Sequence, residues 1–94
     1  MSTMNVALGG VHAQASREAI DAIIAEEAEK AGIGVADILG RRRQKTIVRA
    51  RHAAMRRIRH ALPNESYQAI GRVFSRHHAS VMYAVGALQK KPPL

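Results

Sequence analysis

Residues 45–62, KTIVRARHAAMRRIRHAL, decide the fold of this chain of 94 residues. Apolar side chains recur every three or four positions here, as they do on one face of an α-helix. They are Ile47, Ala50, Ala54, Ile58 and Ala61, whereas Lys45, Arg49, His52, Arg56 and Arg59 follow the opposite face. The pattern predicts one long amphipathic helix that packs by its apolar face and exposes a cationic one. Pro63 and Asn64 then end the helix.

The charge around this helix has a single sign. Nine Lys or Arg residues, and no acidic residue, lie between Asp37 and Glu65. Like charges three or four positions apart oppose helix formation, so this run indicates a polyanion that neutralises it, nucleic acid first. Residues 1–40 hold two basic and six acidic residues, while residues 41–94 hold thirteen basic and one acidic. The second part is therefore predicted to be the binding part.

Two helices are predicted before the long one. Residues 1–15 lack periodicity and contain two adjacent glycines, so we expect a flexible N-terminal tail. A first helix is predicted over residues 16–31, with Ser16 as its N-cap and Gly32 after its end. Its inward face is Ile20, Ile23, Ile24, Ala28 and Ala31. A short second helix, residues 35–39, is expected to be closed by Gly40 in a left-handed conformation.

Two further helices are predicted after the long one. The fourth runs from an N-cap at Ser66 to Phe74, and the fifth covers residues 78–90. Their predicted inward residues are Ile70, Val73, Phe74, Val81, Ala84, Val85 and Leu88. A turn of three residues joins them, which gives the proportions of a helix-turn-helix. The expected architecture is all-α, a single domain over residues 16–91 with about five helices and a short tail at residues 92–94.

Several function classes are disfavoured by what the sequence lacks. There is no cysteine, hence no disulfide or thiolate zinc site, and no apolar run near the roughly 18 residues of a membrane span. The histidines, chiefly the pair His77–His78, have no nearby residues to complete a metal shell. No nucleophile, base and stabiliser occur together. We therefore expect a cytoplasmic protein that is not an enzyme and uses no cofactor or metal.

Two segments carry a family resemblance. Residues 35–55, VADILGRRRQKTIVRARHAAM, resemble the basic loop and long helix of the C-terminal domain of DnaA, the bacterial replication initiator. Residues 67–84, YQAIGRVFSRHHASVMYA, resemble the helix-turn-helix signature of that domain. The resemblance implies a Trp-repressor-like helix-turn-helix domain that binds double-stranded DNA. It also implies a recognition helix in the major groove and a basic-loop arginine, Arg43 by position, in the minor groove.

Site residues follow from this resemblance and from helix geometry. The predicted base contacts are Arg43, His77, His78, Ala79, Ser80 and Tyr83. The predicted phosphate contacts are Arg41, Arg42, Lys45, Arg49, Arg51, Arg56, Arg72, Arg76 and Lys90. Arg51 is unusual because it falls within the apolar arc of its helix. Either it pairs with Glu65 or Asp37 beneath the helix, or it reaches a phosphate at the helix start, and we favour the phosphate.

The chain departs from the family pattern at three of these positions. His77 replaces an Asp, which removes a strong N-cap and a carboxylate able to accept from cytosine. Ala79 replaces a Thr and keeps only a methyl group, and Tyr83 replaces a His. We expect DNA binding to survive these changes and the target sequence to differ.

The role expected for the chain is that of a transcription or replication regulator associated with the nucleoid. It lacks the Gly-x-x-x-x-Gly-Lys-Ser/Thr loop of the ATPase module to which the family joins this domain, so we expect either a stand-alone domain or an excised fragment. The rival interpretation is a basic amphipathic module that binds an acidic protein or an anionic membrane surface. The long helix has no aromatic anchor on its apolar face, which argues against the membrane. The sequence leaves homodimerisation open.

Overall fold

The computed structural model describes residues 2–87, and side chains from residue 16 onward. This part of the chain contains five helices and no strand, which confirms the all-α prediction. The helices are α1 (Ser2–Ala31), α2 (Val35–Leu39), α3 (Lys45–Ala61), α4 (Tyr67–Phe74) and α5 (His78–Val85). The bounds of α2, α3 and α4 agree with the predicted bounds to within one residue.

The core lies where the other four helices pack around α3. Its buried apolar side chains are Ile20, Ile23, Ile24, Ala28, Ile38, Ala50, Ala54, Met55, Ile58, Ile70, Phe74, Val81 and Ala84. These residues include most of the predicted inward faces. Ala61 was expected on the apolar face of α3 but is exposed, because the chain leaves the helix there and Leu62 packs against the core in its place.

The predicted start of α1 is wrong. The helix begins at Ser2, and Ser16 lies inside it instead of capping it. Alanine, methionine, leucine and glutamine residues between positions 4 and 15 favour the helix. Gly9 and Gly10 cost about 1 kcal/mol each relative to alanine, which weakens a helix without ending it. The division into a tail and a domain between residues 15 and 16 stays a prediction.

Two glycines at helix ends serve different purposes. Gly32 ends α1 with a left-handed φ of 71°, and the N–H of Ile33 donates to the carbonyl oxygen of Ala28 at 3.0 Å. Gly40 was predicted to be left-handed as well, but it is extended, with φ −88° and ψ −162°. Glycine is favoured at this position because there is no room for a side chain: a Cβ would lie 2.9 Å from the carbonyl oxygen of Ala36.

The corner between α4 and α5 is tight for two reasons. Ser75 takes a left-handed conformation with φ 54°, and the N–H of Arg76 donates to the carbonyl oxygen of Gly71 at 2.8 Å. A Cβ at Gly71 would lie only 2.5 Å from the carbonyl oxygen of Arg76. The hydroxyl of Ser66 accepts from the N–H of Ala69 at 3.0 Å and caps α4, as predicted. Together these residues fix the direction in which α5 leaves the corner.

α5 is shorter than predicted. It ends at Val85, because Gly86 adopts a left-handed φ of 87° and the N–H of Ala87 closes the end on the carbonyl oxygen of Met82 at 2.8 Å. The predicted end at Lys90 is therefore wrong. Leu88, Lys90 and the predicted tail at residues 92–94 lie outside the described residues.

A buried carboxylate on α1 was not anticipated. Glu27 is 6% exposed, and its Oε2 accepts from Arg57 at 2.9 Å and from Lys30 at 3.0 Å. Burial alone would raise the pKa of Glu27, but the bonds from Lys30 and Arg57 outweigh it and lower the pKa below its ordinary value. Arg57 also contacts Glu26 at 2.7 Å. One arginine of the acid-free run therefore joins α3 to α1.

Candidate nucleic-acid interface

The loop between α2 and α3 carries the first three arginines of the acid-free run. Arg41, Arg42 and Arg43 are exposed, and within residues 2–87 their guanidinium groups form no hydrogen bond or ion pair. The backbone of this loop, in contrast, is held in place by hydrogen bonds from arginine side chains that lie beneath it. Three cationic side chains therefore project from a fixed base, an arrangement suited to an anionic partner.

Arg51 forms that base and does not face solvent. It is 3% exposed, and its Nε donates to the carbonyl oxygen of Ile38 at 2.7 Å. Its Nη2 donates to the carbonyl oxygens of Asp37, Gly40 and Arg42 at 3.0–3.1 Å. Burial, and then the charge of Arg76, lowers the pKa of Arg51. Every acceptor is a backbone carbonyl, so the alternative of a carboxylate partner is wrong. The predicted phosphate contact of Arg51 stays a prediction.

Arg76 reaches the same loop from the α4–α5 corner. Its Nη1 donates to the carbonyl oxygen of Phe74 at 2.9 Å, and its Nη2 donates to that of Gly40 at 2.8 Å. The side chain is half-buried. Its predicted phosphate contact stays a prediction, but both terminal nitrogens already have protein partners.

A cleft of about 630 Å³ opens between the loop, α3 and the α4–α5 corner. Four arginines and no carboxylate line it, together with His52 and two serines. The full lining is Arg41, Arg43, Val48, Arg51, His52, Met55, Ser75, Arg76 and Ser80. The cleft brings together five predicted site residues from three elements. His52 and Ser75 were not among the predicted site residues. The helical spacing of α3 does place His52 on the cationic face, whereas no sequence signal marks Ser75.

The exposed face of α3 extends the cationic surface beyond the cleft. Lys45, Arg49 and Arg56 are exposed, and Arg56 makes one long contact of 3.4 Å with the carbonyl oxygen of Ala84. Arg72 is exposed on α4. Arg59 instead donates to the carbonyl oxygens of Pro63 and Glu65 and lies 4.5 Å over the ring of Tyr67.

The start of α5 differs from expectation in its cap. His77 is the N-cap residue, and its Nδ1 accepts from the N–H of Ala79 at 3.1 Å. The inference that replacing the family's Asp removes the cap is therefore wrong, because the imidazole Nδ1 supplies an acceptor for the first turn of α5. The rings of His77 and His78 stack with centroids 4.2 Å apart. In the part of the chain that the structure describes, no three His, Cys, Asp or Glu residues form a group able to hold a metal ion.

The other predicted base contacts lie along the same side of α5. Ser80 and Tyr83 are exposed, Tyr83 to 51%, and Ala79 is half-buried. The Tyr83 ring meets the His52 ring edge to face at 6.2 Å. Burial, and then the charges of Arg56, Arg51 and Arg76, lowers the pKa of His52. The base and phosphate contacts of all these residues stay predictions, and Lys90 lies outside the described residues.

Comparison with known proteins gives two matches. Residues 20–87 match the family described as the bacterial dnaA protein helix-turn-helix. The "Chromosomal replication initiator protein DnaA" of Desulfatibacillum aliphaticivorans is 41% identical over 54 residues, which are 57% of this chain and 12% of that protein. The chain therefore spans about an eighth of the length of that relative. No solved structure matches. None of the helices described over residues 2–87 is long and apolar enough to cross a membrane.

Proposed function

Since this chain belongs to the bacterial DnaA helix-turn-helix family, a DNA-binding and non-catalytic module, we propose that it binds double-stranded DNA with sequence preference. In this proposal α5 enters the major groove, and Arg43 of the basic loop enters the adjacent minor groove. Lys45, Arg49, Arg56 and Arg72 contact phosphates. The biological role proposed is regulation of replication or transcription at the nucleoid.

The observation that carries the proposal is the cleft lined by four arginines and no carboxylate. It joins the basic loop to the start of α5, the two elements assigned to the two grooves. A DNA backbone lies between a minor groove and the adjacent major groove, and it needs cationic or hydrogen-bonding groups along its path. Arg41, Arg43 and Ser80, which come from these two elements, line one continuous concave surface.

The start of α5 supports base reading on steric grounds. Recognition helices contact base edges with residues of their N-terminal part, and close approach requires small side chains there. Ala79 and Ser80 occupy the first turn. Tyr83 follows one turn later and is 51% exposed.

Burial weakens the rival interpretation of a membrane-surface helix. A helix that lies on lipid inserts its apolar face into the bilayer. On α3 that face consists of Ile47, Ala50, Ala54 and Ile58, all of which are buried within the domain. Only the cationic face of α3 is left for a partner. A rigid polyanion can contact this face without any disruption of the core.

Selection of binding sites from a pool of random duplexes, at stated salt, tests the proposal. We expect one sequence to be enriched and then bound on the order of a thousand times more tightly than a scrambled duplex of the same composition, as measured by fluorescence anisotropy. Equal affinity for the two duplexes would refute groove reading and leave a backbone binder. Binding to vesicles of anionic lipid that competitor DNA does not displace would favour the rival.

A further inference from the structure

We propose that Arg76 is a positioning residue that locks the basic loop to the α4–α5 corner, so that the loop and α5 reach their two grooves at one fixed separation. The inference rests on the proposed DNA-binding function and deepens it. It assigns Arg76 a role through the protein backbone instead of the phosphate contact suggested by its charge alone.

The argument begins with the carbonyl oxygen of Gly40, which lies at the start of the basic loop. It accepts from Arg76 at 2.8 Å and from Arg51 at 3.1 Å. A carbonyl oxygen has two lone pairs, so these two guanidinium groups use its full capacity. One donor comes from α3 and the other from the corner that starts α5. The loop is therefore tied to both elements at one atom.

The second terminal nitrogen of Arg76 binds a carbonyl oxygen close to it in the chain. Nη1 of Arg76 donates at 2.9 Å to the carbonyl oxygen of Phe74, the last residue of α4. The planar guanidinium thus spans from the end of α4 to the loop with its two terminal nitrogens. A lysine carries the same charge but presents a single nitrogen, so it cannot hold the two carbonyls at a set distance.

The consequence for DNA is geometric. Successive base pairs are 3.4 Å apart along the helix axis, so a protein with two rigidly joined reading elements tolerates no change in the separation of their targets. If the loop were free to shift relative to α5, the same protein would accept an inserted base pair more easily. The loss of affinity caused by an inserted base pair therefore measures how rigidly Arg76 joins the loop to the corner. Neither the charge of the protein nor its overall affinity measures that rigidity.

The experiment uses the full chain and the duplex that the wild-type chain selects from the random pool. A second duplex carries one extra base pair between the two segments that base substitution identifies as the loop target and the α5 target. Affinities of wild type, Arg76→Lys and Arg76→Ala are measured on both duplexes over a range of salt concentrations. Arg72→Lys and Arg72→Ala are the matched comparison, because Arg72 is exposed on α4 and forms no hydrogen bond or ion pair among the described residues.

For wild type we expect the extra base pair to weaken binding about tenfold or more. Arg76→Lys should bind the original duplex about tenfold more weakly than wild type and lose much less on the insertion, although its charge is unchanged. For Arg72, a proposed phosphate contact, each substitution should change binding to the two duplexes by the same factor, because such a contact does not depend on the spacing of the two targets. Circular dichroism checks that each variant is folded, and Arg76→Lys carries the test alone if Arg76→Ala does not fold.

The inference is overturned if Arg76→Lys binds both duplexes as wild type does. It is also overturned if the Arg76 variants lose the same factor on both duplexes, which is the behaviour of a phosphate contact. Either result would leave the preference of the wild-type chain for its selected duplex intact. If wild type itself shows no such preference, the proposed function fails instead, so the two failures are distinguishable.

Discussion

Arg51 of α3 and Arg76 of the α4–α5 corner donate to the same carbonyl oxygen, that of Gly40, at 3.1 and 2.8 Å. In linear sequence both belong to the strongly basic half of the chain, and both were assigned to phosphates. In the folded chain they hold the loop that carries three of the exposed arginines. Part of the positive charge therefore organises the surface on which the rest is displayed.

Replacing Arg51 by Met should destabilise the domain by about 3 kcal/mol or more, because four buried or half-buried carbonyl oxygens each lose one hydrogen bond. Urea denaturation monitored by circular dichroism measures the change. Arg49→Met is the matched control, since Arg49 is exposed on the same helix and forms no hydrogen bond among the described residues. Equal stability of the two variants would contradict the structural role of Arg51.

Replacing Gly71 by Ala should destabilise the α4–α5 corner by about 1–3 kcal/mol, because the new Cβ would lie 2.5 Å from the carbonyl oxygen of Arg76 and the backbone would have to move. Thermal unfolding measures the loss. Gly34→Ala serves as the control, since its Cβ would meet the Asp37 carboxylate at an ordinary 3.6 Å. A corner that accepts both alanines alike would mean that the contact at Gly71 relaxes freely.

Replacing His77 by Ala should cost about 1 kcal/mol of stability, because the N–H of Ala79 loses its side-chain acceptor at the start of α5. His77→Asn should retain most of the stability, since an asparagine oxygen is a good N-cap acceptor. His60→Ala controls for loss of a histidine as such, because His60 is exposed on α3. A loss with asparagine as large as that with alanine would exclude the capping role.

The lowered pKa of His52 predicts a stability that falls in acid. The unfolded chain, in which histidine has its ordinary pKa of 6.5, binds this proton more readily than the folded chain does. Stability from this group is therefore fully present above pH 6.5 and is lost as the pH falls through the lower value of the folded state. Urea midpoints at neutral and acidic pH should fall further for wild type than for His52→Gln. Equal falls would show that His52 titrates normally in the fold.

Replacing Arg43 by Ala should weaken binding to the selected duplex by about 1–3 kcal/mol and relax the sequence preference. Arg49→Ala should instead weaken binding on every duplex alike and lower the salt slope by about one. Fluorescence anisotropy over a salt series separates the two effects. If Arg43→Ala merely repeats the behaviour of Arg49→Ala, then Arg43 contacts phosphates and not the minor groove.

Helical periodicity predicted the central part of the fold well. The apolar spacing of α3 and the Ser66 cap are local signals, and the structure has both where the sequence indicated. The N-terminal bound of α1 was missed because two glycines suggested an end that the surrounding strong helix formers override. The end of α5 was missed because Gly86 was not weighted as a stop.

The sequence predicted the candidate site as a charged surface. It did not predict which arginines hold the loop and which ones are exposed to a partner. The spacing of Arg51 within the apolar arc marked it as unusual, yet its partners are carbonyls 9 to 14 residues away, which no local pattern encodes. The same holds for Arg76, whose acceptor at Gly40 lies 36 residues away. Such bonds depend on how α2, α3 and the corner pack together, and that packing is a property of the whole fold.

The left-handed glycine that ends α5 after eight residues limits how much sequence this helix can read in the proposed complex with DNA. Eight helical residues span about 12 Å, the length of three or four stacked base pairs. A sequence of three or four base pairs recurs by chance on the order of every hundred base pairs in a genome, far too often to mark one locus. The position of a binding site in a genome must then be specified by more than this helix. Either a second element reads the adjacent groove, or several such short sequences are clustered in one region.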